Sequence, residues 1–91
     1  MARVFWPQTA IDQLDEIVAY IAIFDPAAAA RISVRLFDLG ESLAEFPERG
    51  RPAAGGAREM VTVRPYILRY AVQDDVVTIL GIRHGARRPP D

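Results

Sequence analysis

The stretch REMVTVRPYILRYAVQDDVVTILGIR, residues 58–83, decides how this chain folds. Three runs within it, Met60–Val63, Tyr66–Val72 and Val76–Ile82, are rich in β-branched and aromatic residues. They are separated by Arg64-Pro65 and by Gln73-Asp74-Asp75, both turn-forming, because proline fixes φ and aspartate bonds its own backbone locally. Short runs of this composition with gaps this small predict an antiparallel three-stranded meander. Alternation along the middle run puts Tyr66, Leu68, Tyr70 and Val72 on one face and Ile67, Arg69, Ala71 and Gln73 on the other. The first set reads as core in preference to a platform for stacked bases. Arg69 and Arg83 lie inside or at the end of apolar strands, where burying an unpaired charge is too costly. One face of the meander is therefore a working surface, and Arg58, just ahead of the first run, is expected near it.

Upstream of the meander the period changes from two to that of a helix. Ile11, Leu14, Ile17, Val18 and Ile21 share one helical face, with Asp12, Asp15 and Glu16 off it. This predicts an amphipathic helix over 9–23 with Thr9 as its N-cap. Asp25-Pro26 reads as a second start, Asp as cap and Pro at the first helical position. Ile32, Leu36, Leu39, Leu43 and Phe46 then step by four and three residues, giving a helix over 26–46 stopped by Pro47. Gly40, inside it, is expected to mark a close crossing with the first helix. Val4-Phe5-Trp6 is a short strand, and spacing leaves open whether it joins the sheet at an edge or between strands. Residues 47–57 are a Pro/Gly/Ala loop. The expected architecture is α+β, in the order β-α-α-β-β-β, with a helical hairpin on one face of a mainly antiparallel sheet.

The chain has 91 residues and no cysteine, so it reads as a single domain, 1–91, without disulfides or thiolate metal sites. No apolar run approaches a membrane span and no leader precedes a cleavage site, so the expected location is the cytoplasm. The net charge of −1 conceals a segregation. Residues 1–48 carry three arginines against eight acids, whereas residues 49–91 carry eight arginines against four. The strand half therefore suits an acidic partner. Nothing in the sequence forms a phosphate loop, a metal cluster or a nucleophile triad, so neither metal nor cofactor is expected. His84, in Arg83-His84-Gly85-Ala86-Arg87, is the one histidine and the one obvious general acid or base candidate. A lone histidine beside arginines is more often a surface or packing residue. What the residues alone establish is an arginine-marked sheet face able to take carboxylates or phosphates.

The ordered features resemble a known family. They are the strand ending at Trp6, Thr9-Ala10, Ile17-Val18-Ala19-Tyr20-Ile21-Ala22 and Asp25-Pro26-Ala27-Ala28, followed by Leu43-Ala44-Glu45-Phe46-Pro47 and Gly50-Arg51. Gly56-Ala57-Arg58-Glu59, Pro65-Tyr66-Ile67-Leu68-Arg69-Tyr70 and Ile79-Leu80-Gly81-Ile82-Arg83-His84-Gly85-Ala86-Arg87 complete the set. Together they resemble the RelE/ParE superfamily of type II toxin–antitoxin toxins, ParE-like members in particular, over nearly the full length. The resemblance implies a cytoplasmic toxin of the plasmid-stabilisation kind, bound in a hetero-oligomer by a ParD-like or other DNA-binding antitoxin. ParE-like members poison DNA gyrase by binding it; RelE-like members cut messenger RNA on the ribosome. Partner contact is then expected from Arg58, Ile67, Arg69, Arg83, His84 and Arg87. If the chain were a nuclease, Arg58, Arg83, His84 and Arg87 would be its catalytic candidates. Ribonuclease members carry basic residues where this chain has Met60 and Ile67, so the resemblance favours a non-enzymatic gyrase inhibitor. The alternatives are a ribosome-dependent endoribonuclease or an inactive remnant that still binds antitoxin.

Overall fold

A computed structural model describes residues 1–86. The elements in chain order are β1 (Arg3–Phe5), α1 (Gln8–Phe24), α2 (Pro26–Ser42), β2 (Arg51–Pro52), β3 (Arg58–Met60), β4 (Tyr66–Gln73) and β5 (Val76–His84). A short 3-10 turn, Ala54–Gly56, lies between β2 and β3. The strands form one mixed sheet in the order β1-β5-β4-β3-β2. The first strand joins at the edge, parallel to β5, and every other pairing is antiparallel. Its single parallel partner follows from the hairpin of helices, which carries the chain back over the sheet before β3 begins.

The helices cover one face. Leu36 and Leu43 of the α2 region are fully buried with Leu68, Tyr70, Val77 and Ile79 of the sheet, and Leu14, Ile17 and Ile32 pack against that core. Ile21 is half-buried. The face of β4 carrying Leu68 and Tyr70 is thus the core face, although Val72, near the hairpin end of β4, is exposed. β4 turns into β5 through Asp74 and Asp75, with φ of 51° and 62°. Two successive left-handed residues match the twist of a two-residue hairpin, and aspartate tolerates that region better than most residues.

Helix limits and caps depart from the sequence expectation in instructive ways. Asp25 does cap α2: its Oδ1 accepts from the Ala28 N–H at 3.0 Å, with Pro26 at the first helical position. Thr9 does not cap α1, because the helix begins two residues earlier, after Pro7, whose carbonyl accepts from Ala10 and Ile11. The second helix stops at Ser42 rather than at 46, and Phe46 is exposed. Gly40 marks a close approach, but to Trp6 rather than to α1. A Cβ there would run into the indole ring, which stacks on Phe37 at 5.7 Å and donates from Nε1 to Glu41 at 3.1 Å. In the meander the first strand is Arg58–Met60, not Met60–Val63, and buried Val63 packs from a turn instead of a strand. The loop expected over 47–57 contains β2, which pairs Arg51 with Glu59 and Pro52 with Arg58.

That loop is fastened to the core from below. The Tyr70 hydroxyl, fully buried, donates to the Pro47 carbonyl at 2.8 Å and accepts from the Gly50 N–H at 2.8 Å. Arg58 donates from Nη1 to the carbonyls of Glu48 and Gly50, at 3.1 and 2.8 Å. Gly50 must be glycine here, because a Cβ would fall 2.7 Å from the Tyr70 hydroxyl and 3.0 Å from the Glu59 carbonyl.

Candidate functional site

Residues opposite one another in an antiparallel pair share a face, so the register sorts the charged side chains. Arg51 pairs with Glu59, Glu59 with Arg69, and Arg69 with Gly81, a row crossing four strands on the face away from the helices. Ile67 and Arg83 form the next row on that face. Glu59, Arg69, Gly81, Ile67 and Arg83, together with Ala53 and Ala54 of the loop, Leu80 of β5 and Gln13 of α1, line a cleft of about 450 Å³, with Arg51 just outside it on Glu59.

The cleft is concave because its two rims are held. On one side Arg69 donates from Nη2 to the Ala54 carbonyl at 2.9 Å, pulling the loop over the sheet. On the other side β5 carries a bulge between the pairs Arg69–Gly81 and Tyr70–Ile79, leaving Leu80 unmatched and 42% exposed. A bulge bends its strand and re-aims the side chains beyond it. β1 reaches only as far as Thr78 along β5. Past that point the side chain of Gln13 substitutes for a strand, its Oε1 accepting from the Ile82 N–H at 2.9 Å.

The electrostatics of the cleft turn on Glu59. Its Oε1 lies 3.2 Å from Arg51 Nη2 and its Oε2 lies 3.4 Å from Arg83 Nη2, and its side chain is only 12% exposed. The face is still net positive, but a carboxylate already occupies the space between the arginines.

The site residues expected from the sequence therefore divide. Ile67, Arg69 and Arg83 are brought together in the cleft. Arg58 is not with them: it pairs with Tyr70, so its side chain is on the helix-side face, where it holds the loop. This corrects the expectation that Arg58 shares the Arg69 surface, and its cause is the strand starting at Arg58 itself, which inverts the alternation. His84 pairs with Tyr66, ring edge to ring face at 5.7 Å, and borders a second cleft of about 430 Å³ with Gln13, Glu16, Ile17, Tyr20 and Arg83. His84 Nδ1 accepts from the Ala86 N–H at 3.1 Å, so a neutral ring carries its proton on Nε2. Arg83 borders both clefts. Arg87 lies outside the described residues. Glu59 and Gln13 escaped the sequence reading. Glu59 was hidden for the same reason that Arg58 was misplaced: Val61 and Val63 offered the opposite alternation, and only the burial of Met60 turns Glu59 outward.

Among the described residues no group of three or more His, Cys, Asp or Glu side chains is placed to hold a metal ion. No helix among them is long and apolar enough to cross a membrane. The cleft is a cationic, partly apolar sheet face framed by a loop and a helix of a small α+β domain.

Comparison with known proteins turns that class into a family. The family model for the ParE toxin of the type II toxin-antitoxin system, parDE, matches residues 4–89. Toxin RelE2 of Caulobacter vibrioides is 49% identical over 87 residues, covering 96% of this chain and 99% of its own length. Among solved structures, a chain of the chromosomal ParDE TA system from P. aeruginosa superposes with a TM-score of 0.83 at 22% identity, over 92% of this chain and 96% of that one. That likeness bears on the fold. The chain belongs to the ParE toxin family of type II toxin–antitoxin systems, within the RelE/ParE superfamily.

Proposed function

We propose that this toxin acts by binding DNA gyrase and is silenced by a cognate antitoxin that covers the cleft carrying Arg69 and Arg83. The observation that carries the reading is the make-up of the cleft. Phosphoryl transfer needs groups placed to stabilise charge and to move a proton. Ile67 stands in the middle of the face, Met60 is buried in the core, Arg58 is turned to the other side, and Glu59 occupies the space between the arginines. His84, the one histidine, sits on the helix-side face beside Tyr66. Such a surface supports recognition, through arginine forks around an apolar floor, better than it supports catalysis. The antitoxin partner is supported by the family and by the ParDE system whose chain shares this fold.

The name RelE2 on a relative with 49% identity favours a second reading, a RelE-like ribosome-dependent endoribonuclease. The two separate in cells expressing the toxin without antitoxin. Gyrase poisoning gives filamentation and DNA-damage signalling with intact messages. Codon-position cutting of ribosome-bound message without DNA damage overturns the gyrase reading.

A further inference from the structure

We infer that Glu59 is a specificity-determining residue, a built-in counter-anion that keeps the cleft from accepting nucleic acid while leaving it open to a protein partner. The inference rests on the proposed reading that this face meets protein. Glu59 sits at the centre of the Arg51–Glu59–Arg69–Gly81 row, and each of its carboxylate oxygens takes one arginine, at 3.2 and 3.4 Å. These are the positions that the oxygens of a bound phosphate would otherwise take.

Two candidate roles for the carboxylate predict different costs. As a stabilising ion pair it contributes little, because Arg51 is 57% exposed and each contact is single and long instead of a bidentate fork. As an electrostatic filter it contributes much. Nucleic-acid affinity grows with each phosphate neutralised, through release of condensed counterions, so a carboxylate among the arginines removes charge and donors at once. A protein partner drawing on an apolar anchor is less affected. Ile67, Leu80, Ala53 and Ala54 supply the floor and rim for such an anchor.

The test is fluorescence anisotropy with a labelled single-stranded poly(U) oligomer, at two or more salt concentrations, on four purified proteins. These are the wild type, Glu59→Gln, Glu45→Gln and the double variant Glu59→Gln/Arg51→Gln. Glu45 is exposed and lies outside the cleft, so its change alters net charge equally but elsewhere. Glu59→Gln is expected to bind RNA about tenfold tighter than wild type, with a salt slope steeper by about 0.7 for each phosphate newly met. Glu45→Gln should bind as the wild type does, and the double variant should lose most of the gain. Equal affinity of wild type and Glu59→Gln overturns the inference, as does an equal gain from Glu45→Gln. Thermal unfolding checks that Glu59→Gln is folded, and Glu59→Ala serves as a second variant held to the same outcomes. Failure of the gyrase reading shows elsewhere, as cutting of ribosome-bound message by wild-type protein.

Discussion

Replacing Tyr70 with phenylalanine removes one oxygen atom and should unfasten the loop that walls the cleft. The ring stays in place within the core, so cavity formation contributes little, and the effect isolates two hydrogen bonds. The hydroxyl accepts from the Gly50 N–H, and Gly50 is buried; it also donates to the Pro47 carbonyl, whose residue is half-exposed and can regain water. Leaving a buried polar group unpaired costs about 1–3 kcal/mol, and a lost bond whose partner can rehydrate costs about 0.5–1.5 kcal/mol. Tyr70→Phe should therefore destabilise the fold by about 2–4 kcal/mol, with Gly50 the larger share. For a domain of this size that is a fall in Tm of roughly 8–30 °C. Urea unfolding followed by far-UV circular dichroism reads the loss directly, and an unchanged m-value excludes a change in the denatured state. Arg58 holds the same loop through the Glu48 and Gly50 carbonyls, so Arg58→Met combined with Tyr70→Phe should be non-additive by about 0.5 kcal/mol or more. A loss below about 0.5 kcal/mol for Tyr70→Phe, within the range of an ordinary surface change, would refute this account of the loop.

Two further outcomes bear on other parts of the structure. Leu36→Ala, at a fully buried position of α2, should cost about 2–5 kcal/mol in the same unfolding assay. Charge reversal at Arg69 should weaken the complex with the co-expressed antitoxin, measured by titration calorimetry, far more than reversal at exposed Arg31 in the helical half; equal effects would remove the cleft as the docking surface.

Much of the fold was legible because its strongest signals were local. The Leu36/Leu39/Leu43 seam, the Asp25-Pro26 start and the Asp74-Asp75 turn all act within a few residues of themselves, and all three are where the periodicity puts them. What the sequence hid depends on contacts between distant segments. Thr9 is a good cap by type, yet the helix starts sooner because Pro7 offers its carbonyl to Ala10 and Ile11. Gly40 signals a close approach but not its partner, and the partner is Trp6, 34 positions away along the chain. The site was harder to read for the same reason. Ile67 and Arg69 share a face because β4 alternates, but Arg83 joins them only through the bulge at Leu80: unbroken pairing from the Asp74-Asp75 turn would set Arg83 opposite Tyr66, on the core side. Arg58 was misplaced because β3 is only three residues long, and its phase is set by pairing with β4 rather than by its own sequence. The bulge at Leu80, which moves Ile82 onto the core face, has no apolar-pattern signature beyond the Leu80-Gly81-Ile82 triplet.

The most direct test of the account is a supercoiling assay, with purified toxin titrated into DNA gyrase and relaxed plasmid, beside primer extension on ribosome-bound message. Gyrase inhibition is a binding activity that needs no proton donor, so His84→Ala should inhibit within a few-fold of wild type. The account predicts loss of supercoiling by both proteins, accumulation of gyrase-cleaved plasmid, and message left whole. Full supercoiling in the presence of toxin, with message cut at codon positions by the wild type and not by His84→Ala, would contradict it.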